Sequence, residues 1–341
     1  MQRCAVIAII YYMKQFDFLA IGDIMTDAFI RLKDASVHCD INREKCELCM
    51  PFAEKIPFEF VKVVRAVGNG PNAAVSAARL GLNSAMMTDI GNDENGRECV
   101  TELKKNKVSA KFVTRHKNKK TNYHYVLWFE DERTILVKHE AFPYKFSPPR
   151  KNPRWVYITS LGGDSLPYQL EIAKWLEENP DIRMAFQPGT FQMNAGYEKL
   201  IVFYRRAEIF FCNVEEAKRI LKKTGEIKEL LVGIHELGPK IVVITDGPKG
   251  AYAYDGADFW FMPPYPDPKP PYERTGAGDA FSSTFTVALA LGKNLAEALM
   301  WSPINSMSVV QDIGSQKGLL TREKLEEYLK NAPTDYAPRK I

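Results

Sequence analysis

Short apolar, β-rich runs alternate with helix-period stretches through most of the chain, and this rhythm limits the possible folds more than any other feature. The runs are Trp155 to Thr159, Met184 to Gln187, Ile209 to Cys212 and Ile241 to Thr245. Helical patterns lie between them at Leu166 to Glu178, Gly196 to Arg205 and Glu215 to Lys223. Strand, helix, strand at this spacing predicts an α/β protein with a parallel sheet covered on both faces. A long helix is expected to open at Gly278, because Phe281, Phe285, Ala288 and Leu289 recur at helical spacing.

Two segments break the rhythm. Residues 29–65 are mixed and irregular until Phe58 to Val64. Residues 111–142 hold two alternating runs, Tyr123 to Phe129 and Arg133 to Val137, around a turn at Glu130 to Glu132, which predicts antiparallel strands. Together the two segments are expected to form a small β lid able to exclude water from a site at the sheet's end; the plainer alternative is a β edge of the main domain. The face made by Val126, Trp128, Ile135 and Val137 is the expected surface for pairing two copies of the chain. Pro263 to Pro271 reads as a stiff connector.

The chain is long enough, at 341 residues, for one large core or two smaller ones, and 45% hydrophobic with 26% charged residues is ordinary for a globular protein. Its net charge of +4 is spread thinly, and the densest run, Arg115 to Lys120, reads as a solvated loop. No nucleic-acid partner is expected, whereas an anionic small substrate suits the mild positive balance. No apolar run reaches the roughly 18 residues that span a bilayer, so no membrane partner is expected. Cys4 to Tyr12 is apolar but precedes no small-residue cleavage site. Met13 is therefore read as the natural start, and residues 1–15 as a non-native or disordered extension. Six cysteines in this length make no disulfide framework, and a reducing cytoplasm is the expected location. Three of them, Cys39, Cys46 and Cys49, stand near His38. They are either a zinc half-site or scattered free thiols.

The strongest chemical motif is Arg274-Thr275-Gly276-Ala277-Gly278-Asp279-Ala280-Phe281. Glycines at 276 and 278 let successive backbone N–H groups turn toward one anion, and the helix opening there adds its positive end. Asp279 stands at the rim of that cradle, where a carboxylate accepts a hydroxyl proton; beside a helix N-terminus it is expected to stay ionised at neutral pH. The bland alternative is a turn with a helix cap. There is no Gly-x4-Gly-Lys-Ser/Thr, which excludes a Walker-type ATPase, and the Gly-Ala-Gly lacks the third glycine and the early position of a dinucleotide fingerprint.

Taken with four other segments in order, this motif resembles the signature of the ribokinase-like (PfkB) carbohydrate kinases. Gly22-Asp23-Ile24-Met25-Thr26-Asp27 is similar to the family's N-terminal turn. Gly68-Asn69-Gly70-Pro71-Asn72-Ala73-Ala74 with Ala78-Arg79-Leu80-Gly81 resembles its Gly-rich first signature. Asn213-Val214-Glu215-Glu216-Ala217 resembles its Asn-x-x-Glu motif, and Thr245-Asp246-Gly247-Pro248-Lys249-Gly250 its nucleotide loop. The resemblance runs from about Phe16 to Leu329. It implies a three-layer fold over residues 16–330, with a mostly parallel sheet, helices on both faces and the β lid, followed by a tail at 331–341.

The resemblance also implies transfer of the γ-phosphoryl group of ATP to a sugar-like hydroxyl. Asp279 would be the general base and the N–H groups of Gly276, Ala277 and Gly278 the anion hole. Asp27 and Asn72, with Gly68 and Asn69, would hold the acceptor. ATP would lie along Thr245, Gly247 and Gly250, with Asn305 and Gly314 near its adenosine part. Asn213 and Glu216 would place Mg²⁺, Glu216 through water. Three departures stand out. Glu273-Arg274 replaces an Asp-Thr pair that helps bind a monovalent cation in relatives, leaving that cofactor open and suggesting Arg274 as the compensating charge. Val67-Gly68 replaces a glycine pair, and Gln187-Pro188-Gly189-Thr190 stands where many relatives carry an aspartate or asparagine pair. A nucleoside kinase of the same family, a catalytically silent nucleotide- or sugar-binding module and a zinc-stabilised scaffold are the alternatives.

Overall fold

The structure of the chain, a computed structural model, describes residues 15–40, 46–130 and 132–341. The expected start at Met13, and the extension apart from residue 15, lie outside the described residues.

The first strand, β1 (Phe18–Ile21), is buried along its whole length. β2 (Met25–Leu32), the pair β3 (Ser36–Cys39) and β4 (Cys46–Cys49), and β5 (Phe58–Val67) follow. Next come α1 (Asn69–Arg79), β6 (Ser84–Gly91), α2 (Glu94–Lys105), β7 (Ser109–His116), β8 (Asn122–Phe129) and β9 (Glu132–Leu136). Then β10 (Trp155–Ile158), α3 (Leu166–Glu178), β11 (Arg183–Phe186), the short α4 (Thr190–Ala195) and α5 (Ile201–Arg206), β12 (Ile209–Asn213), α6 (Val214–Leu221), α7 (Ile227–His235) and β13 (Ile241–Thr245) alternate. β14 (Ala251–Tyr254), β15 (Phe259–Met262), α8 (Ala277–Ala290), α9 (Leu295–Val309), α10 (Arg322–Lys330) and β16 (Arg339–Lys340) complete the chain.

Among the described residues a 10-stranded sheet runs in the order β16-β15-β14-β13-β12-β11-β10-β1-β6-β7. Neighbours from β7 to β13 pair in parallel, and β14, β15 and β16 add antiparallel pairs at one edge. Strand alternation sends Phe18 and Ala20 into one core cluster with Phe285 and Trp301, and Leu19 and Ile21 into a second with Phe186 and Leu231. Two apolar layers therefore sandwich the sheet, which is the mostly parallel α/β architecture that the alternation predicts.

A separate four-stranded sheet, β5-β2-β8-β9, stands apart from it. β2 pairs antiparallel with β5 and parallel with β8, aligning Asp27 with both Val64 and His124. The segment expected as lid over residues 111–142 divides here: β7 joins the main sheet beside β6, and only β8 and β9 enter the smaller one. Residues 331–341 pack back rather than trail away. Tyr336 is buried and donates to the Met300 carbonyl at 2.6 Å, and β16 pairs with β15.

The expected pairing face is corrected. Val126 and Trp128 are buried on the inner side of the small sheet, whereas Ile135 and Val137 are exposed, as are Val61, Tyr125 and Leu136. Side chains alternate across a strand, and in β8 it is Val126 and Trp128 that fall on the inner face while Tyr125 faces out. The cysteine cluster also differs from both readings of the sequence. β3 and β4 align Cys39 with Cys46, and the two form a disulfide, which removes them as zinc ligands and as free thiols. No group of His, Cys, Asp and Glu suited to a metal ion occurs among the described residues. Cys99 and Cys212 are buried and Cys49 is partly exposed. Thiol labelling of the native, unreduced protein should therefore modify Cys49 before Cys99 and Cys212, and reach Cys39 and Cys46 only after reduction, as peptide mass spectrometry will report.

Candidate active site

The parallel strands set their C-terminal ends along one edge of the main sheet, where open α/β sheets bind ligands. Asp23 follows β1, Thr159 follows β10, Gln187 follows β11, and Asn213 at the end of β12 lies in register with Thr245 at the end of β13. Helix α8 starts at this edge. Its N-cap, Gly276, adopts φ 85, and a Cβ there would fall 2.4 Å from that of Ser315. Only glycine meets both demands. A Cβ on Gly278, by contrast, would meet nothing within 4 Å. The first N–H groups of a helix have no acceptor within it, so this turn presents donors to open space.

Asp279 stands in that first turn. Its Oδ2 accepts from Asn72 Nδ2 at 2.7 Å and its Oδ1 from Gln187 Nε2 at 3.1 Å. Each amide is fixed in turn: Gln187 Oε1 accepts from the Tyr157 hydroxyl at 2.5 Å, and Asn72 Oδ1 from Ser315 Oγ at 2.8 Å and Gln316 Nε2 at 3.0 Å. Burial pushes the Asp279 carboxyl above the usual carboxylate range, and the two amide hydrogen bonds oppose the shift without cancelling it. Burial thus works against the helix end, whose positive pole favours the charged carboxylate. Asn72, expected to hold the acceptor, orients Asp279.

A group of buried polar side chains lies where β1 and β2 meet β8. Asp23 is 2% exposed, its Oδ1 accepts from the Tyr144 hydroxyl at 3.2 Å, and its Oδ2 lies 3.2 Å from His139 Nδ1 without hydrogen-bond alignment. Asp27 Oδ1 lies 3.5 Å from His124 Nδ1 across the β2–β8 pairing. Asp23 Oδ2, Asp27 Oδ1, His124 Nε2 and His139 Nδ1 are all buried without a hydrogen-bond partner. An unpaired buried polar atom costs about 1–3 kcal/mol, so four in one place mark a seat for something polar. Burial, assisted by the charge of Glu273, raises the Asp27 carboxyl to about 7. Burial, together with His139, lowers His124 to about 4, so that imidazole is neutral. Gly68 caps α1 against this group: a Cβ on it would lie 3.0 Å from the Asp23 carbonyl oxygen, and Asn69 opens the helix.

Asn213 and Glu216 form a reciprocal cap at the start of α6, with Asn213 N donating to Glu216 Oε2 at 2.9 Å and Glu216 N to Asn213 Oδ1 at 2.8 Å. Burial raises the Glu216 carboxyl, and the Asp279 charge adds to the effect, so the two acids sense one another. Beyond Thr245 the chain turns through Gly247, at φ 52, and Gly250, at φ 110. Two expected nucleotide contacts fall elsewhere. Asn305 is fully buried between α8 and α9, where it donates to Thr284 Oγ1 and accepts from Leu320 N. Gly314 lies under the small sheet and donates to Glu273 Oε2 at 3.3 Å. Arg274 is exposed, and the cation nearest Glu273 is Arg133, with Nε 3.6 Å from Oε1.

Gln187, His124, His139, Arg133 and Ser315 thus belong to the site although sequence reasoning did not place them there. Gln187 left a signal, as a polar residue ending an apolar strand. The histidines and Arg133 left none, because only the pairing of β8 with β2 and β9 brings them inward.

Residues 59–322 match the family described as pfkB family carbohydrate kinase. Ribokinase of Bacillus subtilis is 28% identical over 269 residues, which cover 77% of this chain and 87% of that protein. The 5-dehydro-2-deoxygluconokinase of the same organism is 23% identical over 337 residues, covering 93% and 96%. Among solved structures, Arabidopsis thaliana ribokinase complexed with ribose and ATP superposes with TM-score 0.77 at 19% identity, covering 93% of this chain and 99% of that one. Methanocaldococcus jannaschii nucleoside kinase gives TM-score 0.77 at 20% identity, covering 92% and 98%. The fold is therefore ribokinase-like. The two glycines of the turn should separate in stability: Gly276→Ala, strained at its φ and driven into Ser315, should lower the thermal midpoint by several degrees, while Gly278→Ala, facing open space, should unfold near wild type in calorimetry.

Proposed function

The chain belongs to the pfkB family of carbohydrate kinases, phosphotransferases that act on an alcohol group, and we propose that it transfers the γ-phosphoryl group of ATP to a hydroxyl of a sugar or sugar-containing small molecule. The observation that carries this reading is the half-buried Asp279 carboxylate, held by Asn72 and Gln187 in the first turn of α8 beside backbone donors, of which Ala277 N makes only a long bond, 3.5 Å, to the Arg274 carbonyl. Asp279 takes the proton of the attacking hydroxyl as its oxygen bonds to the γ-phosphorus and the bond to the β-phosphate oxygen breaks, giving ADP and a phosphate ester. Charge gathering on the transferred group is met by the N–H groups of Gly276, Ala277 and Gly278, which are fixed before the reaction begins. A raised carboxyl pKa suits a base near neutral pH better than a strongly acidic one.

The acceptor lies among Asp23, Asp27, His124 and His139, whose orphaned polar atoms its hydroxyls would satisfy. ATP lies along Thr245 to Gly250, with Asn213 beside it. Glu216, one carboxylate oxygen of which already accepts from Asn213 N, would hold Mg²⁺ through water, and the ion when bound would neutralise phosphate charge. Retention of Asp279 with both amide partners favours this reading over a silent binding module.

Asp279→Asn should cut acceptor-dependent ADP release by about 10²-fold or more while leaving ATP affinity in calorimetric titration nearly unchanged. Wild-type turnover in that variant would overturn the assignment. The second outcome concerns pH. Asp27 is protonated below about 7 and then loses the charge that draws hydroxyl donors. The acceptor KM should therefore rise as pH falls through 7 and level off above it, and in Asp27→Asn it should be high and insensitive to pH across that window.

A further inference from the structure

We infer that Arg133, carried by the lid, is a positioning residue that holds the anion-hole loop in register through Glu273. This inference rests on the kinase reading of the α8 turn for its effect on rate, but its structural half stands on geometry alone.

Glu273 is 2% exposed and stands just before the turn. Its Oε1 accepts from both the backbone N–H, at 2.7 Å, and the hydroxyl of Thr275, and its Oε2 accepts from Gly314 N at 3.3 Å. One carboxylate therefore splints two loops. The first continues into Gly276 and α8. The second carries Ser315, which backs Gly276, and, with Gln316, holds the Asn72 amide that orients Asp279. Donor turn and base both depend on where these loops sit.

A buried carboxylate without a counter-charge is costly. The neighbouring Arg274 points to the surface, and the charge comes instead from Arg133 on β9, with its side chain 26% exposed and Nε 3.6 Å from Glu273 Oε1. That Nε is buried and makes no hydrogen bond. The guanidinium is thus held at salt-bridge range without a directed contact, as a charge more than a strut. The contact belongs to a wider seam. Trp128, opposite Arg133 in the β8–β9 register, meets Tyr272 edge-on at 5.2 Å between centroids. Val64 of β5 comes within 3.2 Å of the point where Gly314 would carry a Cβ. Three strands of the small sheet therefore bear on the loops that Glu273 ties, and Arg133 supplies the charge at that seam. Without it, the buried Glu273 carboxylate loses its counter-charge, and its grip on Thr275 and Gly314 loosens.

The test compares full-length wild type, Arg133→Ala and Arg133→Lys by hydrogen exchange, steady-state kinetics and chemical rescue with guanidinium ion at tens of millimolar. In Arg133→Ala the amides of Thr275 and Gly314 should exchange faster. Its kcat should fall about tenfold or more, since outright loss of one such donor costs about 10²–10³, with the KM for ATP little changed. Guanidinium should restore part of the kcat and slow the exchange again, and Arg133→Lys should lie between. Unchanged exchange at Thr275 and Gly314 in Arg133→Ala overturns the inference. So does a variant whose losses follow a lowered unfolding temperature and are not recovered by guanidinium. If wild type releases no ADP with any sugar, sugar phosphate or nucleoside, the kinase reading fails, and hydrogen exchange with its guanidinium arm alone decides for or against the splint.

Discussion

The amide of Asn72 is the joint on which the candidate site depends. One end donates to Asp279 on α8, and the other accepts from Ser315 and Gln316 beyond α9. Asn72 itself sits in the first turn of α1, anchored by its N–H to the Gly68 carbonyl at 2.9 Å. Three parts of the chain that are remote in sequence thus meet on one side chain. A side-chain amide can do this because it offers a donor and an acceptor on opposite atoms of one rigid plane. The two-sided sheet holds the partners still: β1 packs against α1 from below, and the apolar face of α8 is buried through Phe281 and Phe285. The polar joint is affordable only inside that frame, since each of its groups is satisfied.

The layered fold was legible because its signal is local. An apolar run such as Ile241 to Thr245 needs no distant information to be read as a buried strand, and it appears as β13 at those limits. The Leu166 to Glu178 helix likewise follows from its own spacing. The turn at Gly276 to Asp279 was legible for a related reason, since glycine conformation and helix onset are written in adjacent residues. What stayed hidden was set by pairing across distance. β2 turns Asp27 inward only because it lies beside both β5 and β8, and His124 reaches it only through that register. In β8, alternation separates Val126 and Trp128 from Tyr125, but only the packed fold decides that the first pair faces in.

Asn305 and Gly314 illustrate another limit. A polar residue in an apolar helix can serve a ligand or a neighbouring helix, and sequence alone does not choose. In the fold, Asn305 ties α9 to α8 and to the Leu320 amide, which is what a buried amide does when it faces protein on every side. The same reasoning applies to Asn213 and Glu216. Their mutual cap explains why these residue types stand three apart before α6, and a cap that also lies at the sheet's ligand edge serves structure and site together.

Asp23 and Asp27 are separated by one tight turn yet belong to different bodies: Asp23 leaves β1 of the main sheet, and Asp27 lies within β2 of the lid. Whatever bridges them is a tether between the two sheets. The junction between the two sheets and the polar group are then the same few residues, and the seam at Glu273, Tyr272 and Gly314 holds the lid from its other side. A group that satisfied the unpaired atoms of both aspartates would therefore bear on the main sheet and the lid at once.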